Sequence, residues 1–233
     1  MLAIVPYLEV VLATTLAAHP LKLPLFLVCL IQGITNFAVA VGLGLLLARK
    51  IGLGAPILEG WLYGRAIRPP ALFVPISAGT GIAVGIVLLM LIHSPIGTAL
   101  SAMPVTTEGA MPLWKRFLAC FYGGLGEEIF MRLFLLSLVI WLLGFLRKKG
   151  PTRYNAVIFW IANFLVALAF GAGHLPLAAQ LGPLTPQLIS VVIALNAIAA
   201  LPFGYLYWSR GLEAAILAHF SADLVLHVIG PAV

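Results

Sequence analysis

Charge is what this sequence has least of: 9% of its 233 residues are Asp, Glu, Lys or Arg, where a soluble domain carries roughly 25%. The remainder is dominated by the 63% that are hydrophobic, and the mean hydropathy is +1.14. A soluble globular domain is excluded; the chain is an integral, multi-pass membrane protein, in the cytoplasmic membrane if its source is prokaryotic. Cysteine is scarce too, with only Cys29 and Cys120, far apart and without a CxxC pair, which excludes a disulfide framework and a thiolate metal site. Rossmann and P-loop glycine patterns, internal repeats and low-complexity tracts are all missing. The net charge of +6 does not imply a nucleic-acid partner, because the basic residues cluster at the ends of apolar runs and act as topology signals.

What is present is a succession of apolar runs. A hydrocarbon core about 30 Å thick needs about 20 helical residues per crossing, so the chain has room for about seven short-looped crossings and no separate soluble domain. The expected spans are 2–18, 24–48, 71–93, 117–145, 155–176, 187–208 and 211–229. The first, MLAIVPYLEVVLATTLAA, lacks a basic n-region and carries Glu9, so it reads as a poorly apolar membrane helix rather than a signal peptide. Trp61, Tyr63, Arg65 and Arg68 mark an interfacial segment between the second and third spans. Residues 93–112 form the longest polar connection. Arg49, Lys50, Arg65, Arg68, Arg147, Lys148, Lys149, Arg153 and Arg210 fall on one side, and Lys22, Lys115 and Arg116 on the other. That asymmetry predicts a cytoplasmic N-terminus and, with seven crossings, an external C-terminus.

Within the apolar runs stand ionisable groups that would each cost several kcal/mol facing lipid, and such groups face a bundle interior or a wet cavity. They are Glu9, Glu127, Glu128, Arg132, His174, Glu213, His219, Asp223 and His227. In GEEIFMR, Glu128 and Arg132 are four apart, on one helical face within pairing distance, which reads as an ion pair that orients the helix. Glu127 sits about 100° round, with Phe130 and Met131 at its i+3 and i+4 positions. Glycines 123, 124 and 126 leave room beside it for backbone, water or substrate. His174 ends the run VALAFGAGHLP, again beside small residues. His219, Asp223 and His227 line one stripe of the last helix, so His219 and Asp223 are either a tautomer-fixing pair or two ligands of one metal. His227 reads as interfacial and Glu213 as a helix N-terminal carboxylate. A carboxylate to take a proton from water, histidines to position that water, and a group to hold an oxyanion are what peptide hydrolysis requires.

These residues form three motifs: EExxxR (Glu127, Glu128, Arg132), FxxxH (Phe170, His174) and HxxxD (His219, Asp223). Over roughly residues 115–229 the sequence resembles the CPBP family of intramembrane proteases, also called the Abi or type II CAAX prenyl endopeptidase family. The resemblance implies an all-α, polytopic helical bundle with a four-helix catalytic core. It divides one transmembrane domain, 1–233, into N-terminal helices (1–112) and the core (113–229). It implies that Glu127 activates water with help from His174, that His219 and residue 223 form the oxyanion site, and that Glu128, Arg132 and Phe170 give support. Asp223 stands where CAAX proteases of the eukaryotic type carry asparagine. An ionised aspartate cannot donate to an oxyanion, so Asp223 is protonated, orients His219 or ligates a metal. The expectation is a metal-free glutamate mechanism, with zinc on His174, His219 and Asp223, joined by Glu127, as the alternative cofactor site. The implied partners are the bilayer and a membrane-associated protein or peptide, a prenylated CAAX protein among the candidates. Readings from other classes are a carrier with an intramembrane proton relay, and an inactive immunity or scaffold protein.

Helix depths pose a conflict. At about 1.5 Å per residue, Glu127 lies roughly 30 Å from Arg147 and His174 roughly 31 Å from Arg153, but His219 lies only about 13 Å from Arg210. Straight helices with level basic loops would keep the three apart; either the fourth span extends beyond the bilayer or the Arg210 turn is recessed.

Overall fold

In lipid every backbone N–H and C=O must find its partner within the chain, and helices achieve that locally. The computed structural model describes residues 1–65, 69, 71–97, 111–146 and 156–230, and among them all regular structure is helical. In order these are α1 (Val5–Val11), α2 (Ala13–Ala18), α3 (Leu25–Ile51), α4 (Pro56–Leu62), α5 (Phe73–Ile92), α6 (Leu113–Leu146), α7 (Ala156–Gly173), α8 (Leu175–Leu181), α9 (Pro186–Arg210) and α10 (Leu212–Ile229). Local signals set the boundaries. Gly52 ends α3 in the left-handed conformation (φ 73°), and Thr185 caps α9 by accepting from the Leu188 N–H, with Pro186 at the first helical position.

Six of the seven expected spans are helices long and apolar enough to cross a membrane, with α7 and α8 forming one of them across a turn at His174. The first is not: the chain breaks at Leu12 (φ −97°, ψ 9°), leaving helices that are each too short to span. This N-terminal segment packs against the bundle. The Met1 side chain lies against Gly33 of α3, and Thr15 Oγ1 donates to Gln180 Oε1 at 2.8 Å. Arg68 and the basic cluster 147–153 lie outside the described residues, as does most of the 93–112 connection. Arg49, Lys50 and Arg210 share one end of the bundle, where Gly54 receives the Leu212 N–H at 3.0 Å, whereas Arg116 donates to the His227 carbonyl at the opposite end.

Packing makes α10 the central helix. Half of its apolar window is buried, against 17% for peripheral α3. Lipid-embedded helices gain nothing from hiding apolar surface from lipid, so they associate through close contact of small residues. On α5 the buried stripe Ser77, Gly81 and Gly85 meets Ala218 and Ala222 of α10; a Cβ on Gly81 would strike the Ala218 carbonyl, and one on Gly85 the Val225 side chain. Gly124 of α6 likewise admits Phe220, and Gly171 of α7 admits the backbone of Ile193 on α9.

The depth conflict dissolves in two ways. With its 34 residues, α6 runs for about 50 Å, well beyond a hydrocarbon core of about 30 Å. The turn at Arg210 and Gly211 is covered on one side by α4: Gly211 lies against Pro56, and Glu213 Oε1 accepts from the Leu58 N–H at 2.8 Å.

Gly81→Ala is expected to destabilise the protein by about 1–3 kcal/mol through overpacking at α10. Gly42→Ala on α3 has open space around it and is expected to be neutral; thermal unfolding in one detergent compares the two.

Candidate active site

The EExxxR motif lies on α6 where the helix widens into π-helical turns, Tyr122–Glu127 and Ile129–Leu136. Such turns recur at functional sites because they displace side chains from the faces that regular α-helical spacing would assign. Facing them on α10 are His219 and Asp223, the latter leading into a further π-helical turn, Leu224–Ile229. The two helices approach through Gly123, where a Cβ would collide with the Asp223 carboxylate and stand 3.4 Å from His219 Nε2.

At the centre is Glu128, fully buried. Its Oε1 pairs with Arg132 Nη1 at 2.8 Å, a close ion pair whose N–H is not aligned as a hydrogen bond, and accepts from His219 Nδ1 at 2.7 Å. The i,i+4 pair expected from the sequence is present; the sequence reading gives Glu128 no further partner, and the structure adds His219. Arg132 Nη2 then donates to the Ala200 carbonyl at 2.9 Å, and Asn163 Nδ2 to the Leu201 carbonyl at 3.0 Å. Both carbonyls lie just before Pro202, whose ring interrupts the hydrogen-bond ladder of α9.

With Nδ1–H given to a carboxylate, the other nitrogen of His219 is free for chemistry. It faces two more acids, Asp223 Oδ1 at 3.5 Å and Glu127 Oε2 at 3.8 Å. Glu127 differs from its neighbours in being partly open, its side chain 22% exposed against 0% for Glu128. The His219 ring stacks on Phe203 (5.0 Å, 24°) and meets Phe170 edge-on (5.9 Å, 82°). Arg132 lies over both rings, 5.4 Å from Phe170 and 5.8 Å from Phe203, so this side of the site is dry, aromatic and rigid.

His174 stands one step away. Its Nδ1 donates to the Phe170 carbonyl at 2.8 Å, and its ring is edge-on to Phe170 at 4.7 Å. Phe170 therefore contacts both imidazoles, and His174 joins the cluster through that ring rather than by touching Glu127. Because a carbonyl can only accept, Nδ1 of His174 carries a proton and Nε2 is the ring nitrogen turned to other partners. His227 Nε2 is 4.0 Å from Asp223 Oδ1 near the end of α10. Glu213 and Glu9 lie apart from the cluster: Glu213 binds α4, and Glu9 is exposed on α1.

Among the described residues, no three His, Cys, Asp or Glu side chains are gathered so as to hold a metal ion. The alternative zinc set is not assembled in this arrangement, since the Phe170 ring lies against both His174 and His219 and stands between them. Phe203 and Asn163 are the supporting residues that sequence reasoning missed; neither is charged or part of a motif. The nearest sequence signal was Pro202, a residue that interrupts a helix.

A family model for type II CAAX prenyl endopeptidases, Rce1-like, matches residues 109–225, half of the chain and every residue of the cluster. The chain belongs to the Rce1-like family. That membership makes it, in the coarse sense, a CAAX-type intramembrane protease, consistent with its multi-pass helical fold. No curated protein and no solved structure matches it. The family match begins just before α6, so α1 to α5 lie outside it, although α5 packs on the helix that carries His219 and Asp223.

Removing one partner of the buried pair leaves the other uncompensated. Glu128→Ala is expected to cost about 3–5 kcal/mol, and Glu128→Ala with Arg132→Met less than the two single changes added together. A double-mutant cycle by thermal unfolding checks both.

Proposed function

We propose that this Rce1-like protein is a glutamate-dependent intramembrane endopeptidase in which Glu127 is the general base. The observation that carries this reading is the contrast between two adjacent carboxylates around one histidine. Glu128 is buried and committed to Arg132 and His219 Nδ1, while Glu127 is partly open beside His219 Nε2.

Glu127 takes a proton from water as the water oxygen bonds to the scissile carbonyl carbon, and the carbonyl electron pair moves onto its oxygen. His219, as imidazolium held by Glu128, donates from Nε2 to that oxyanion. The intermediate collapses with cleavage of the C–N bond, Glu127 delivers its proton to the departing nitrogen, and the products are a carboxylic acid and an amine. Asp223, 3.5 Å from Nε2, orients the imidazole when ionised. His174 presents Nε2 as a second acceptor for the attacking water. Phe170 and Phe203 hold the histidines in place and exclude bulk water.

The substrate is a membrane-associated protein or peptide, with a prenylated C-terminal CAAX sequence the leading candidate. An isoprenoid is kept in the bilayer while the peptide enters between the helices towards Glu127.

Purified protein is expected to cleave a quenched, farnesylated CAAX peptide, with Glu127→Ala lowering the rate by about 10²–10⁴-fold, the range for loss of a general base. Activity that survives a strong chelator supports the metal-free route, and loss in chelator with recovery on adding zinc supports the zinc-dependent one. If the same protein cuts a non-prenylated membrane peptide equally well, the prenyl group is not part of recognition.

A further inference from the structure

On the face of α9 away from His219, a cavity of about 290 Å³ lies between α9 and α5, lined by Ile76, Thr80, Pro202, Tyr205, Leu206, Ser209 and Arg210. Its volume is about ten times water's share of the liquid, enough for a stretch of hydrocarbon chain and too small for folded peptide. The groove is not uniform along its length. Ile76, Pro202 and Leu206 form apolar walls, and Arg210 lies at the end of the bundle where α3 finishes with Arg49 and Lys50. Two of the three groove hydroxyls are already committed, Thr80 Oγ1 donating to the Ile76 carbonyl and Ser209 Oγ to the Tyr205 carbonyl.

Arg210 forms no ion pair or hydrogen bond through its side chain among the described residues. The nearest acid in sequence, Glu213, is turned towards α4 and accepts from the Leu58 N–H. The start of α5 adds to the positive field, because Leu72 precedes it as a cap residue with no side-chain acceptor for the first-turn N–H groups. A guanidinium with no partner among the described residues, beside an apolar slot between two helices, is complementary to a phosphate with a hydrocarbon tail. Basic pockets of this kind at the cytoplasmic ends of helices bind anionic headgroups.

We propose that the α5–α9 groove binds an anionic glycerophospholipid, with its phosphate on Arg210 and one acyl chain along Ile76, Pro202 and Leu206. The site is separate from the proposed protease chemistry and does not depend on it. Through Pro202 it adjoins the segment of α9 that Arg132 and Asn163 hold, so an occupying lipid would steady the helix that presents Phe203 to His219.

The full chain, purified in detergent, is titrated with phosphatidylglycerol or phosphatidylcholine, and bound lipid is counted by native mass spectrometry. Wild type is expected to retain phosphatidylglycerol preferentially. Arg210→Gln should weaken that binding by about five-fold, the scale of one basic residue near an anionic surface, and leave phosphatidylcholine binding unchanged. Thr80→Phe, which fills the groove, should lower both, and Lys115→Gln at the opposite end should alter neither. If Arg210→Gln does not fold, Thr80→Phe carries the test. Equal retention of phosphatidylglycerol by wild type and Thr80→Phe overturns the proposal. Displacement of the lipid by an equimolar farnesylated peptide would also overturn it, by giving the groove to substrate.

Discussion

One buried oxygen organises this membrane protein. Oε1 of Glu128 meets the Arg132 guanidinium at 2.8 Å and the His219 imidazole at 2.7 Å, both out of reach of water. A buried carboxylate is costly without such partners, and it in turn orients both of them. From this point the connections run outward. Arg132 continues to the Ala200 carbonyl beside Pro202, so the weakest place in α9 is tied to α6. His219 continues to Phe203, Asp223 and Glu127, so α10 is tied to α9 and to the open side of the cluster. Phe170 brings in α7 and, through it, His174.

Small residues make this arrangement reachable. Glycine at 123 leaves the space that the Asp223 carboxylate occupies, and Gly81 is required by the backbone carbonyl of Ala218, which cannot swing aside. With the helices this close, a few polar groups can meet inside an assembly whose outer surface is apolar. The cost of burying them is offset by their mutual hydrogen bonds rather than by water. The N-terminal helices, outside the matched family region, take part through α5, whose stripe of Ser77, Gly81 and Gly85 backs α10 from behind the site.

Much of this was legible in the sequence. Apolar run length locates six membrane helices to within four residues at each end, because lipid imposes a minimum length and one kind of backbone on all of them. It overestimates the first run, where Leu12 breaks the helix: hydropathy registers composition and not continuity. The i,i+4 rule finds Glu128 with Arg132, since that pair lies within one helix. It cannot find Glu128 with His219, a contact across 91 positions, nor can a helical wheel at 100° per residue place both Glu127 and Glu128 against one imidazole when α6 widens into π turns there. Phe203 and Asn163 were hidden for a similar reason: each is an ordinary residue of an apolar helix whose role arises only from what another helix sets against it. The depth conflict arose from treating loops as level, when α6 extends far past the core and α4 covers one side of the Arg210 turn.

The central claim is that Glu128 fixes His219 with Nδ1 protonated towards it, so that Nε2 faces Glu127. Solid-state NMR of the protein in lipid, with ¹⁵N-labelled histidine, reads this directly. His219, identified by the loss of its signals in His219→Asn, is predicted to show a protonated Nδ1 whose signal changes in Glu128→Ala, which removes the acceptor, while the signals of His174 stay in place. A His219 spectrum unchanged by Glu128→Ala would contradict the account.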